Sequence, residues 1–262
     1  MSRIPESAAY DENGTYAPWQ MSHNIFFSRY GWECIKNLPK KDRKSITDQE
    51  SNTHTLVITG IGSDGHLAPK SLVEKAQQQG SVHFARTVSR KILNCIPVLK
   101  NTDSEATAKL VATQVIKILD DALEKKSETE TAEIVLNIEA HSLGADIAKK
   151  VCLLITNHDT EHNTNYLRHI KKLTSHAGAN GPIVLQQGPL KSPLGKLCFG
   201  IKAIANFEKE NIENQQAAFD ELGIEQEYIV YNHDRVLKDT TQCPPNHSPI
   251  PRAGGHFGIY ED

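Results

Sequence analysis

The stretch Glu133-Ile134-Val135-Leu136-Asn137-Ile138-Glu139-Ala140-His141-Ser142-Leu143-Gly144-Ala145-Asp146 decides how the rest of the chain is read. Its first six residues are mostly apolar and rich in β-branched side chains, which predicts a buried strand. Beyond Asp146, the residues Ile147, Val151 and Leu154 recur at helical spacing, with Lys149 and Lys150 on the opposite side. The strand therefore turns directly into a helix, and Ser142 stands at the turn. Strand and helix backbones nearly touch in so tight a turn, so small neighbours are needed; Ala140 and Gly144 fill those places. A serine held there has its hydroxyl exposed above the sheet edge. The plainer alternative is that Ser142 caps an ordinary helix.

Upstream, Thr55-Leu56-Val57-Ile58-Thr59 reads as a second strand and runs into Gly60-Ile61-Gly62-Ser63-Asp64-Gly65. As a phosphate cradle this loop would need Gly-x-Gly-x-x-Gly or the Lys-Ser/Thr ending of a P-loop, and it has neither. It can instead point a backbone N–H at a nucleophile, with Ile61 or Gly62 as the donor, or be a plain turn. Pro69 to Gln79 predicts a helix stopped by Gly80. Val82 to Val98 has mixed periodicity that does not separate strand from helix. Thr102-Asp103-Ser104-Glu105 is a capping box opening a helix of about twenty residues, with Val111, Val115 and Ile118 on its apolar face. Lys125 to Thr131 is the polar connection to the first strand.

Downstream, His158-x-x-Glu161-His162 matches the inverted zincin spacing, but its Asn- and Thr-rich surroundings favour a solvated loop or lid over a metal-binding helix. Pro182-Ile183-Val184-Leu185-Gln186 reads as a third strand, followed by a semi-apolar stretch from 188 to 206. A helix from about Glu208 stops at Gly223. Glu227-Tyr228-Ile229-Val230-Tyr231 reads as a fourth strand leading into Asn232-His233-Asp234-Arg235-Val236. The last landmark is Ala253-Gly254-Gly255-His256. Strands alternating with helices imply an α/β fold: a mostly parallel sheet with helices on both faces and its functional loops at one edge.

Composition narrows the class. A chain of 262 residues with 38% hydrophobic and 23% charged residues can bury one sizeable α/β core. The net charge of −3 gives no general attraction for nucleic acid. Five scattered cysteines (Cys34, Cys95, Cys152, Cys198, Cys243) contain no Cys-x-x-Cys pair, which argues against a zinc ribbon or disulfide framework. The N-terminal Met1-Ser2-Arg3-Ile4-Pro5-Glu6-Ser7 has no apolar secretory core, so the expected compartment is the cytosol; export would need a route that reads no such signal. Aromatics crowd residues 1–50, which predicts a segment packed on the main body, residues 51–262.

Three polar residues then fall on loops at the same sheet edge, in the order Ser142, Asp234, His256. A serine hydroxyl is a poor nucleophile until a base takes its proton, and the base needs a carboxylate to fix its tautomer. In Ala140-His141-Ser142-Leu143-Gly144, Asn232-His233-Asp234-Arg235-Val236 and Gly254-Gly255-His256 the sequence resembles the α/β-hydrolase superfamily, in its lipase and esterase branches. It departs from the family in having Ala140 at the first elbow position. Only six residues follow His256, where the family usually has a further helix.

The resemblance implies hydrolysis of a carboxylic ester through a serine acyl-enzyme. Ser142 would attack, His256 would relay the proton and Asp234 would orient His256. The N–H groups of Leu143 and of Ile61 or Gly62 would hold the oxyanion. It implies no metal and no organic cofactor, and an acyl ester or lipid as substrate, met in part at a membrane surface. The stretches 157–181 and 188–206 would be lid-like insertions. His141 belongs to the elbow turn, with its ring expected to point away from Ser142. His233 and His247 are alternative bases, and Asp159 and Asp239 alternative acids. A thioesterase or amidase would use the same three groups, and a catalytically silent binding module would need none of them.

Overall fold

The computed structural model describes residues 32–34, 51–60, 67–85, 104–126, 132–181, 209–234, 236–237 and 239–256. Their strands are β1 (Trp32–Cys34), β2 (Thr53–Ile58), β3 (Leu67–Pro69), β4 (Ser81–Phe84), β5 (Val135–His141), β6 (Ile170–His176), β7 (Glu225–Tyr231) and β8 (Pro249–Arg252). Their helices are α1 (Lys70–Gln79), α2 (Ser104–Lys125), α3 (Gly144–His162), α4 (Lys209–Asp220) and the single turn α5 (Asp239–Gln242). Six strands form one sheet in the order β4-β2-β5-β6-β7-β8, and every pairing in it is parallel. β1, from the N-terminal segment, pairs antiparallel with β3.

Side-chain alternation along β2 shows why helices cover both faces. Leu56 and Ile58 join a core with Leu136, Ile138 and Ala140 of β5 and the apolar stripes of α2 and α3. Val57, between them, points the other way, into a core with Val82 and Phe84 of β4 and Leu72, Val73 and Ala76 of α1. A strand flanked on both faces is apolar over most of its length, as Leu56, Val57 and Ile58 are. After β4 the chain crosses back over β2 to build β5, so the strand order reverses between β2 and β5. In open parallel sheets the crevice at such a reversal is where ligands bind.

Two predicted features change. The stretch 157–181 is not a lid: residues 157–162 finish α3, Leu167–His169 form a short 3₁₀ turn, and 170–176 are β6, an inner strand of the sheet. Its lysines hid it. Lys172 is satisfied within the sheet by Glu227 and Glu225 of β7, at 2.7 and 3.2 Å. The polar end of α3 stays helical because Asn163 closes it in the left-handed conformation (φ 53°). Asp159 then accepts hydrogen bonds from the Thr164 hydroxyl and the N–H groups of Tyr166 and Leu167, at 2.7, 3.0 and 2.8 Å. The predicted strand 182–186 and the stretch 188–206 lie outside the described residues.

Lys149 also departs from expectation. It is 3% exposed and lies between α3, α4 and β7, donating to Gln216 with its Nζ 5.4 Å from the Tyr228 ring centroid. Lys150 does face the expected side, and joins Asp146 at 2.8 Å and the Ser104 hydroxyl at 2.6 Å.

β8 is the outermost described strand on its side of the sheet, and its four residues are exposed. Arg252 accepts from the Asn232 N–H at 3.2 Å, so its backbone faces inward. By the two-residue strand period Ile250 faces inward too, and Pro249 and Pro251 face away from β7. The outward positions thus fall on residues that have no N–H. Among the described residues, no helix is long and apolar enough to cross a membrane.

Candidate active site

Ser142 is a non-glycine residue held at φ 55°, a left-handed conformation costing on the order of 1–3 kcal/mol. Three backbone bonds hold it there. Its N–H donates to His176 of β6 at 3.1 Å, and its carbonyl accepts from Ala145 at 3.1 Å and Ala179 at 2.9 Å. The demand for small neighbours is physical. A methyl on Gly144 would sit 2.2 Å from the Ile58 carbonyl oxygen, and one on Gly60 would sit 2.8 Å from Ser142 Cβ and 3.1 Å from Oγ. Ala140 needs no such tolerance, because its methyl lies in the core with Ile138 and Leu136. Gly60, in the loop that leaves β2, faces the serine across the crevice where the strand order reverses.

The structure brings Ser142, His256 and Asp234 into one line. The Ser142 hydroxyl is 3.1 Å from His256 Nε2, and His256 Nδ1 is 2.8 Å from Asp234 Oδ2. Asp234, 4% exposed, is fixed by its other oxygen: Oδ1 accepts the N–H groups of Val236 and Leu237 at 2.7 and 2.9 Å. An acceptor-only carboxylate against Nδ1 requires the proton on Nδ1, which leaves Nε2 free to accept from the serine. That arrangement can draw a proton from Ser142. The Leu143 N–H precedes the first turn of α3, where amide hydrogens have no partner within the helix and favour negative charge.

The other candidates fall elsewhere. Ile61 and Gly62 lie outside the described residues. His247 pairs with Asp220 at 3.2 Å, away from Ser142, and His233 enters only through its backbone N–H, which donates to Gly254 at 3.1 Å. Asp159 is used in closing α3. His158 and His162 do share a helical face, ring centroids 4.4 Å apart, but among the described residues no group of three or more metal-ligating side chains assembles.

Two features of the site escaped the sequence reading. The His141 ring, given no role beyond pointing away from Ser142, lies against His256 with centroids 4.9 Å apart. Its Nε2–H donates to the His256 main-chain carbonyl at 2.8 Å. Beside it, His176 Nε2 donates to Glu139 Oε2 at 2.7 Å, with the Tyr231 hydroxyl 3.4 Å from Nδ1. The period of two in β5 places Glu139 and His141 on one face, and that signal was available; which strand lies opposite them was not.

No family model matches the chain, and no curated protein sequence matches it. Solved structures do. An esterase from Pyrococcus furiosus aligns with a TM-score of 0.50 at 14% identity, over 81% of this chain and 76% of that one. A lipase-esterase related protein from Clostridium acetobutylicum aligns with a TM-score of 0.44 at 13% identity, over 80% and 89%. The parallel sheet, its reversal between β2 and β5, the strained turn into α3 and the likeness to the first of these structures agree: the chain has the α/β-hydrolase fold.

Proposed function

We propose that the protein hydrolyses carboxylic esters through an acyl-enzyme on Ser142. The observation that carries the reading is the continuous line from Asp234 through His256 to the Ser142 hydroxyl. Ser142 Oγ bonds to the acyl carbon as its proton passes to His256 Nε2. The resulting oxyanion is held by the Leu143 N–H and a donor from the loop after β2. One such donor is typically worth about 3 kcal/mol to the transition state. Collapse breaks the bond to the leaving alcohol, which takes the proton from His256. Water then attacks the acyl carbon, again giving its proton to His256, and Ser142 leaves with that proton. A thiol leaving group would follow the same path.

The test is covalent labelling by a fluorophosphonate probe together with turnover of p-nitrophenyl esters of rising chain length. The expected result is labelling and turnover in the native protein, both lost in Ser142→Ala. Absence of labelling, or labelling unchanged by the substitution, would overturn the reading. The apolar residues after Gly188 lead us to expect faster turnover of medium or long acyl chains than of acetate.

A further inference from the structure

We infer that His141 is a positioning residue for His256, clamping the main chain of the base so that its imidazole stays in line with Ser142 through both halves of the reaction. The inference rests on the hydrolase reading above. His256 arrives at the sheet edge on Gly254-Gly255, with Gly254 at φ 129°, a conformation that a side chain would resist. So permissive an approach does not by itself fix an imidazole to within a fraction of an ångström. Bonds that anchor this approach include His233 N–H to the Gly254 carbonyl at 3.1 Å, His256 Nδ1–H to Asp234 Oδ2 at 2.8 Å, and His141 Nε2–H to the His256 carbonyl at 2.8 Å, the last of them holding the main chain of the base.

The bond to the His256 carbonyl comes from the residue directly before the serine. Consecutive residues of one strand end thus grip His256 at two points, Ser142 at the ring and His141 at the backbone. A shift of the loop works against both grips. Of these two the backbone grip is the one that persists through the cycle, alongside the bond from His256 Nδ1 to Asp234. Once Ser142 Oγ is acylated, its bond to His256 is gone, yet His256 has to stay in place to activate water.

The chemistry of His141 suits the task. A carbonyl acceptor requires the proton on Nε2. His141 is 5% exposed, and burial, with His256 and His176 as neighbours, holds its ring well below the usual histidine range. It is therefore neutral when His256 takes up a proton 4.9 Å away between ring centroids. The titratable groups facing it are His256 from the C-terminal loop and His176 from β6, the latter carrying Glu139.

The experiment compares His141→Gln, His141→Asn and His141→Leu. The Gln amide reaches about as far as Nε2 and restores the donor; the Asn amide stops short, and Leu has none. We expect kcat to fall about 10- to 100-fold in the Leu and Asn variants with KM little changed, and to recover to within a few-fold in Gln. Deuterium exchange in the peptide containing 254–256 should speed up in Leu and Asn and return towards native in Gln. A merely structural residue would lower the unfolding midpoint without this split. Folded Leu and Asn variants with native kcat and native exchange would overturn the inference, as would a Gln variant no better than Asn, or failure of all three to fold. The exchange readout needs no activity. A native protein that is never labelled but shows the exchange pattern would therefore sink the hydrolase reading and leave the clamp standing.

Discussion

Asp234 divides its two oxygens between the backbone and His256, and the division makes a sharp prediction. In Asp234→Asn the position of Oδ1 still has to accept the N–H groups of Val236 and Leu237, so the amide oxygen stays there. The amide NH₂ then replaces Oδ2 and faces His256 Nδ1, which has to become an acceptor. The proton moves to Nε2, and the ring can no longer take one from Ser142. On the hydrolase reading we expect kcat to drop by roughly 10⁴ with the fold intact. Turnover within tenfold of native would contradict the assigned tautomer. Ser142, Asp234 and His256 were legible in the sequence because each sits in a distinctive local context: small residues around a turn, a polar run after a strand, glycines before a ring. His141 and Gly60 were not, because their roles depend on what lies across the crevice from them.

Among the elements, the helix lines tell most. The elbow strand, α1, α2 and α4 could be read because capping signals, a stop residue or sustained periodicity mark them. β6 could not, since the charge of Lys172 is neutralised by Glu225 and Glu227 of another strand, too far along the chain for any local window to contain. Lys149 was misplaced for a similar reason: a lysine on the seemingly polar face of α3 became buried because α4 packs over it. Burial pushes its ammonium from the ordinary 10.5 down to about 7, against the upward pull of Asp146 and Asp220. Between those values the unfolded chain binds a proton that the folded protein does not, so this residue makes stability rise with pH. Below about 7 both states are protonated, and the cost of enclosing the charge is felt in full. Urea unfolding from pH 6.5 to 9.5 should show the native protein gaining on Lys149→Met by up to about 1.4 kcal/mol per pH unit. A difference between the two proteins that does not vary with pH would refute this.

At the scale of the whole molecule, the parallel sheet with helices on both faces follows from alternation of strands and helices, which a sequence displays directly. The strand order does not, because it depends on which crossover goes left or right. Nor could the sequence say that Pro249-Ile250-Pro251-Arg252 would be the outermost strand on one side of the sheet among the described residues. A terminal strand normally presents a ladder of open donors and acceptors that another chain can copy. Here the donors are missing at the outward-turned Pro249 and Pro251 and only their carbonyls remain, so a neighbouring strand finds half of the ladder. In Pro249→Thr/Pro251→Thr the two N–H groups return, and we expect concentration-dependent association by light scattering with little change in the unfolding midpoint; a double variant as monodisperse as the native protein would refute this. Crowding in a concentrated solution is thereby resisted at this strand through two imino acids, while Ser142 stands at the carboxyl end of β5, an inner strand, where the surroundings answer to its chemistry alone.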